Sequence, residues 1–170
     1  MEKILESNNL IYVKINEQLI TDYLNMINDR KVSKYLSAKE KKYTYEDEMA
    51  WIKEKLEEKA TIFSIIEKAT NKFVGNIELA NIKDQTGELE ISITKTMQDK
   101  HYGIEAMKKI INYAFDELKL DKINLIVYSN NNKAIHCYEK LGFKISKIEK
   151  DIAIIEGQHV DDIFMQLTKN

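Results

Sequence analysis

Nine consecutive residues, Gln98-Asp99-Lys100-His101-Tyr102-Gly103-Ile104-Glu105-Ala106, lie between an alternating apolar segment (Leu89, Ile91, Ile93) and a long amphipathic helical pattern. A strand that passes through a short turn into a helix leaves backbone N–H groups unpaired and aimed at one place, where the helix dipole adds positive potential. Such a place binds phosphate. Just upstream, Glu88 and Glu90 share one face of the strand by its period of two, and their carboxylates can orient a cation or accept a proton. Downstream, Tyr138 on a second helical stretch carries a phenol that can donate one.

The turn, written Gln98-x-x-His101-x-Gly103, resembles Gln/Arg-x-x-Gly-x-Gly/Ala, the pyrophosphate turn of the GNAT superfamily of acetyl-coenzyme A dependent N-acetyltransferases. The stretch from Asn131 to Phe143 resembles the family's other hallmark, Asn-x-x-Ala-Ile-x-x-Tyr-x-Lys-x-Gly-Phe, with every fixed position matched. The likeness runs from about Ile11 to Leu167, is densest between Glu88 and Phe143, and is nearest to the branch of ribosomal-protein N-terminal and spermidine acetyltransferases. Glu88 falls where that branch has its acidic residue.

The resemblance implies a reaction and a way of holding its donor. Strands Glu88–Thr94 and Ile123–Tyr128 are expected to splay at their carboxyl ends, so that the pantetheine arm of acetyl-coenzyme A pairs with the first as another strand would. Backbone groups near Ile91 and Ile93 would then hold the pantetheine amides and offer an N–H to a developing oxyanion. Gln98, Asp99, Lys100, His101, Tyr102, Gly103 and Ile104 would hold the diphosphate, Asn131 would bond the pantetheine arm, and Lys133 or Lys140 would offset phosphate charge. Tyr138 matches the position of the general acid that serves the departing thiolate.

His101 is the largest departure, because the family has Gly there. Gly permits positive φ and close backbone approach, so a His must take an ordinary φ or turn its ring outward, and the outward ring is expected. A protonated ring could instead bond a phosphate, which a pKa near 6.5 makes partial at neutral pH. The substitution bears on coenzyme affinity more than on reaction type.

An alkylammonium, with a pKa near 10.4, cannot attack a thioester until it loses a proton. Glu88, directly or through water, is the first candidate for the base and Glu90 the alternative. Direct transfer needs no enzyme nucleophile, only two substrates held in line. The acceptor amine could be a protein N-terminus, a polyamine or another small molecule. A non-catalytic acyl-coenzyme A sensor or interaction module is the alternative reading, and a peptide-binding domain without coenzyme A the third.

The elements that must position these residues follow from periodicity. Leu10–Ile15 reads as a strand, and Leu19, Ile20, Tyr23, Leu24 and Ile27 recur at helical spacing, followed by a short helical stretch at Val32–Leu36. Thr44-x-x-Asp47 resembles a capping box that opens a helix to about Lys59. Runs at Ile62–Glu67, Phe73–Asn81 and Glu88–Thr94 suggest an antiparallel meander, with turns at Thr70–Lys72 and Asp84–Gly87. A helix from Gly103 to about Leu118, a strand Ile123–Tyr128, the Asn131 helix ended by Gly142, and strands Phe143–Ile155 and His159–Leu167 complete the order. The whole is a mixed α/β fold. Residues 1–170 are expected to form a single domain around a mostly antiparallel sheet of about seven strands, with helices on both faces and one parallel crossover.

Composition narrows the function classes. A net charge of −2 with Lys and acidic residues interleaved leaves no electrostatic footprint for nucleic acid. No apolar run approaches membrane-spanning length and no secretory-type leader is evident, so a cytoplasmic protein with no membrane partner is expected. A homodimer is left open. Cys137 is the only cysteine, and the three His residues have no zinc-ligand spacing, so no metal is expected. The acidic residues Glu46, Asp47, Glu48, Asp161 and Asp162 lie on the expected acceptor side and read as helix-cap and surface charges.

Overall fold

The computed structural model describes all 170 residues. Strands β1 (Lys3–Glu6) and β2 (Leu10–Lys14) lead into helices α1 (Ile20–Ile27), α2 (Arg30–Ser33) and α3 (Tyr45–Glu57). Strands β3 (Thr61–Glu67), β4 (Phe73–Lys83) and β5 (Thr86–Ile93) follow, then α4 (Tyr102–Asp116), β6 (Lys122–Tyr128), α5 (Asn132–Lys140), β7 (Lys144–Ile155) and β8 (Gln158–Thr168). One eight-stranded sheet contains them in the order β1-β2-β3-β4-β5-β6-β8-β7. The strand beyond the seven expected is β1, whose four residues are too short a run for alternation to register; its partner β2 defines it. The only parallel pair is β5 with β6, the crossover made by α4.

Helices cover both faces. Ala106, Met107, Ile110, Ile111 and Ala114 of α4 pack with Leu10, Phe63, Ile77, Leu79 and Leu89 in one core, against which α5 lays Ala134, Ile135 and Tyr138. On the other face Ile20, Tyr23 and Met26 of α1, Val32 of α2 and Ile52 of α3 pack with Val13, Ile15, Ile62 and Phe73. β3, enclosed by both layers, is buried at six of its seven positions. The capping box at α3 is present, with Thr44 accepting from the Asp47 amide at 3.2 Å and Asp47 from the Thr44 amide at 2.8 Å.

Two hairpins use two-residue turns of positive φ, Asp84 (49°) with Gln85 (58°), and Glu156 (51°) with Gly157 (80°). The first hairpin also contains a bulge: Lys83 faces Thr86, yet Ala80 faces Glu88, so Asn81 and Ile82 together oppose Gly87. This one-residue slip turns Glu78 to face Glu90 and puts both on the α3 side of the sheet. No helix is long and apolar enough to cross a membrane.

At Gly75, β4 comes so close to β5 that an added Cβ would sit 2.0 Å from the Ser92 carbonyl oxygen. Backbone cannot yield there without parting the strands. Gly75→Ala is therefore expected to destabilise the protein by about 3 kcal/mol, read from urea unfolding, and to weaken coenzyme binding, since β5 lines the cleft.

Candidate active site

Strands β5 and β6 pair only at Thr86–Lys122, Gly87–Ile123 and Glu88–Asn124. Beyond Glu88 they part, and a cleft of about 660 Å³ opens between them. The Thr94 amide donates to Val74 on β4, so by the antiparallel alternation Ser92 and Glu90 also turn their backbone groups to β4. Ile91 and Ile93, beyond the last parallel pair, turn theirs into the gap. The Ile93 carbonyl is taken by the Gln98 amide side chain at 3.0 Å. Gln98 thus closes the strand end with its side chain, and its own amide bonds the Lys95 carbonyl at 3.4 Å.

The loop after it is an amide cradle. Asp99 and His101 both adopt φ of 63°, with Lys100 between them at negative φ, an alternation that makes successive N–H groups converge. The amides of residues 99 to 104 have no backbone acceptor in the protein, whereas Glu105 donates to His101 at 3.1 Å and starts the helical ladder. His101 has an exposed side chain and takes the left-handed φ suited to Gly. The two expected alternatives, ordinary φ or outward ring, therefore resolve to the second, with the backbone shape of the loop kept.

Side chains around the cradle have separate engagements. Asp99 is ion-paired with Lys133 from the start of α5, which brings that ammonium to the loop. Lys140 is the last residue of α5, about 10 Å further along the axis, where its charge complements the helix C-terminus. Asn131 caps α5 through its side-chain oxygen, 3.3 Å from the Ala134 amide, so its side-chain N–H₂ is the group left to meet a ligand. Glu105 accepts from Ser7 at 2.6 Å and from the Asn9 amide at 2.7 Å, tying the start of α4 to the β1–β2 turn.

The cleft passes through the sheet. On the α4–α5 side it is lined by Leu89, Ile91, Leu125, Val127 and Tyr138. The Tyr138 ring packs edge-on against Phe143 at 5.9 Å, and loss of hydration pushes its pKa up to about 12, so the phenol keeps its proton at neutral pH. On the α1–α3 side the lining includes the carboxylates Asp47, Glu48, Glu78, Glu88, Glu90 and Asp162 against Lys41 and Lys55. Glu78 is ion-paired with Lys55 at 2.6 Å, and Glu88 accepts a hydrogen bond from Asn81 in the bulge. Glu90 opens into the cleft; partial desolvation, then the charge of Glu78 opposite, raises its pKa above the ordinary carboxylate value. Glu48 is 7% exposed with no ion pair, and desolvation followed by the charge of Asp47 raises its pKa. Glu46 and Asp161 lie outside this lining.

Residues 9–144 match the family model described as an acetyltransferase (GNAT) domain. The chain belongs to the GNAT family of acetyltransferases.

It is 37% identical over 93 residues to the spermidine N(1)-acetyltransferase of Escherichia coli K12, a match covering 54% of this chain and 50% of that protein. It is 30% identical over 97 residues to the putative ribosomal N-acetyltransferase YdaF of Bacillus subtilis, covering 56% and 53%. These matches span about half the length of each relative. Among solved structures, spermidine N-acetyltransferase from Vibrio cholerae in complex with CoA and spermine superposes with a TM-score of 0.86 at 23% identity, over 94% of this chain and 95% of that one.

Acetyl-coenzyme A is the co-substrate of the GNAT family, and the residues present suit it. Six amides without backbone acceptors suit a diphosphate, and the free edge of β5 suits an amide-bearing arm. Glu78, Lys55 and the aromatic wall of Tyr23, Tyr43 and Trp51 were not singled out by motif. The available signal was the period-two row of acids on β4 and β5, but its reading needed the bulge.

A non-Gly residue at φ of 63° carries a strain of about 1 kcal/mol, which the burial of α4 at Met107, Ile110 and Ile111, roughly 1.5–3 kcal/mol each, readily outweighs. His101→Gly of the acetyltransferase is expected to raise stability by about 0.5–1 kcal/mol in urea melts with coenzyme A binding retained. His101→Val is expected to lower both.

Proposed function

We propose that this chain transfers the acetyl group of acetyl-coenzyme A directly to a primary amine of a small cationic acceptor of the polyamine class. The observation that carries this reading is the gap through the sheet, which joins an amide-lined donor side to a carboxylate-lined acceptor side. Of the charged groups lining that cleft, six are acidic and two are basic, a balance that attracts polycations. The names of the Escherichia coli and Vibrio cholerae relatives, both spermidine N(1)-acetyltransferases, agree with it.

Coenzyme A would lie with its diphosphate on the amides of residues 99 to 104 and its arm along Ile91 and Ile93, where an outward N–H also faces the thioester oxygen. Bound there, it supplies an activated acyl group and a thiolate leaving group. Glu88, fixed by Asn81, and Glu90, with its raised proton affinity, bind the ammonium and take its proton. The Tyr138 hydroxyl has a pKa well above that of a thiol, near 8.5, so it stabilises the departing sulfur chiefly as a hydrogen-bond donor. Glu48, buried and without an ion-pair partner, receives a second ammonium of the acceptor.

A thiol-release assay across spermidine, aminoglycosides, amino sugars and Ala- or Ser-initiated peptides tests this directly. Spermidine-like amines are expected to have the highest kcat/KM; coenzyme A binding with no turnover of any amine would make the protein a sensor instead. Tyr138→Phe is expected to lower kcat about 10²-fold with coenzyme A affinity kept. Glu48→Gln is expected to raise KM for spermidine about five- to tenfold and to leave a monoamine unaffected.

The pH profile follows from Glu90. Its carboxylate must be unprotonated to act, and its raised pKa moves the point of proton uptake upward. The acid limb of kcat/KM should fall off above the ordinary carboxylate pKa near 4.3 and shift in Glu90→Gln.

A further inference from the structure

Glu67 ends β3, 6% exposed, in a setting where a carboxylate is rarely found unless it is paired. Its partners all belong to the turn of its own hairpin or to the coenzyme loop. The Thr70 hydroxyl donates to Oε2, the Tyr102 hydroxyl donates to Oε1, and the Lys100 ammonium stands 3.9 Å from Oε1. Lys100 also lies 5.9 Å from the centroid of the Tyr102 ring, so the side chains on either side of His101 are turned back onto one buried anion. The anchor is itself tied into its hairpin: the Glu67 amide bonds the Lys72 carbonyl and its carbonyl accepts from Asn71, both at 2.9 Å. The next residue, Lys68, donates its amide to Asn9 at 2.8 Å, and Asn9 in turn holds Glu105.

We propose that Glu67 is a positioning residue for the coenzyme: it fixes Lys100 and Tyr102 so that the amides of the loop they belong to, residues 99 to 104, converge on the diphosphate. This rests on the loop being the diphosphate cradle. A loop held in its binding shape before the ligand arrives does not spend binding energy on ordering, so loss of the anchor appears as weaker binding. Glu67 reaches the ligand only through Lys100 and Tyr102. The effect is therefore confined to donors that carry a diphosphate and leaves the acyl-transfer step alone.

Calorimetry with coenzyme A and kinetics with two donors, acetyl-coenzyme A and S-acetylpantetheine, test the proposal. Glu67→Gln is expected to weaken coenzyme A binding and raise KM for acetyl-coenzyme A about five- to tenfold, with kcat changed less than about twofold. The kcat/KM with S-acetylpantetheine, which has no diphosphate, should be unchanged. Tyr102→Phe, which removes one oxygen and spares the fold, should weaken coenzyme A binding in the same sense, and the double variant should be no worse than the stronger single one. Unaltered coenzyme A affinity in both variants, or equal losses with the two donors, would overturn the role. Wild-type protein that binds no coenzyme A would overturn the acetyltransferase reading along with it.

Discussion

The separation of β5 from β6 after Glu88 governs this molecule. Parallel pairing lasts for three residue pairs, and then the inner edge of β5 is left with backbone groups that nothing in the sheet satisfies. An interior edge is costly in a folded protein unless water or a ligand takes up its bonds. Here the cost coincides with use, because the same divergence opens a passage between the two faces of the sheet and exposes the amides of Ile91 and Ile93 to it.

That opening is affordable only because its surroundings are overdetermined. The loop that follows contains two left-handed non-Gly residues and six amides without acceptors, none of which is stabilising alone. Two carboxylates, Glu67 and Glu105, clamp its ends to the β3–β4 and β1–β2 turns, and α4 presses five buried residues against the sheet behind it. Rigid elements thus carry the strain while the unsatisfied groups stay directed at one point. The negative charge of the clamps is met locally: Lys100 lies beside Glu67, and hydrogen bonds from Ser7 and Asn9 keep Glu105 ionised despite its partial burial.

The two sides of the passage differ in chemistry because they belong to different layers. The α4–α5 side is apolar and ends in a phenol whose proton is held tightly; the α1–α3 side gathers carboxylates around one strong ion pair, Lys55 with Glu78. Alternation along β5 contributes to this contrast, since Leu89, Ile91 and Ile93 face one layer and Glu88, Glu90 and Ser92 the other, and α3, β4 and β8 add the remaining carboxylates.

By itself the sequence determined the elements and the two motifs, because both are local. Helical and strand periods, the Thr44–Asp47 cap, the Gly142 stop at φ of 95° and the Asn131-to-Phe143 pattern are encoded within a few turns of chain. It did not reveal β1, which has too few residues to alternate, nor that His101 would keep the φ of the glycine it replaces. Only the tertiary structure set Glu78 opposite Glu90, because the bulge at Asn81 shifts the register that a two-residue turn would otherwise impose. It likewise turned Glu48 from a helix-end charge into a buried acid facing the cleft, separated Lys133 from Lys140, and brought Glu67 beneath a loop 33 residues later in the chain. Those placements depend on which side chains meet across the sheet, and such contacts leave no periodic trace in the sequence.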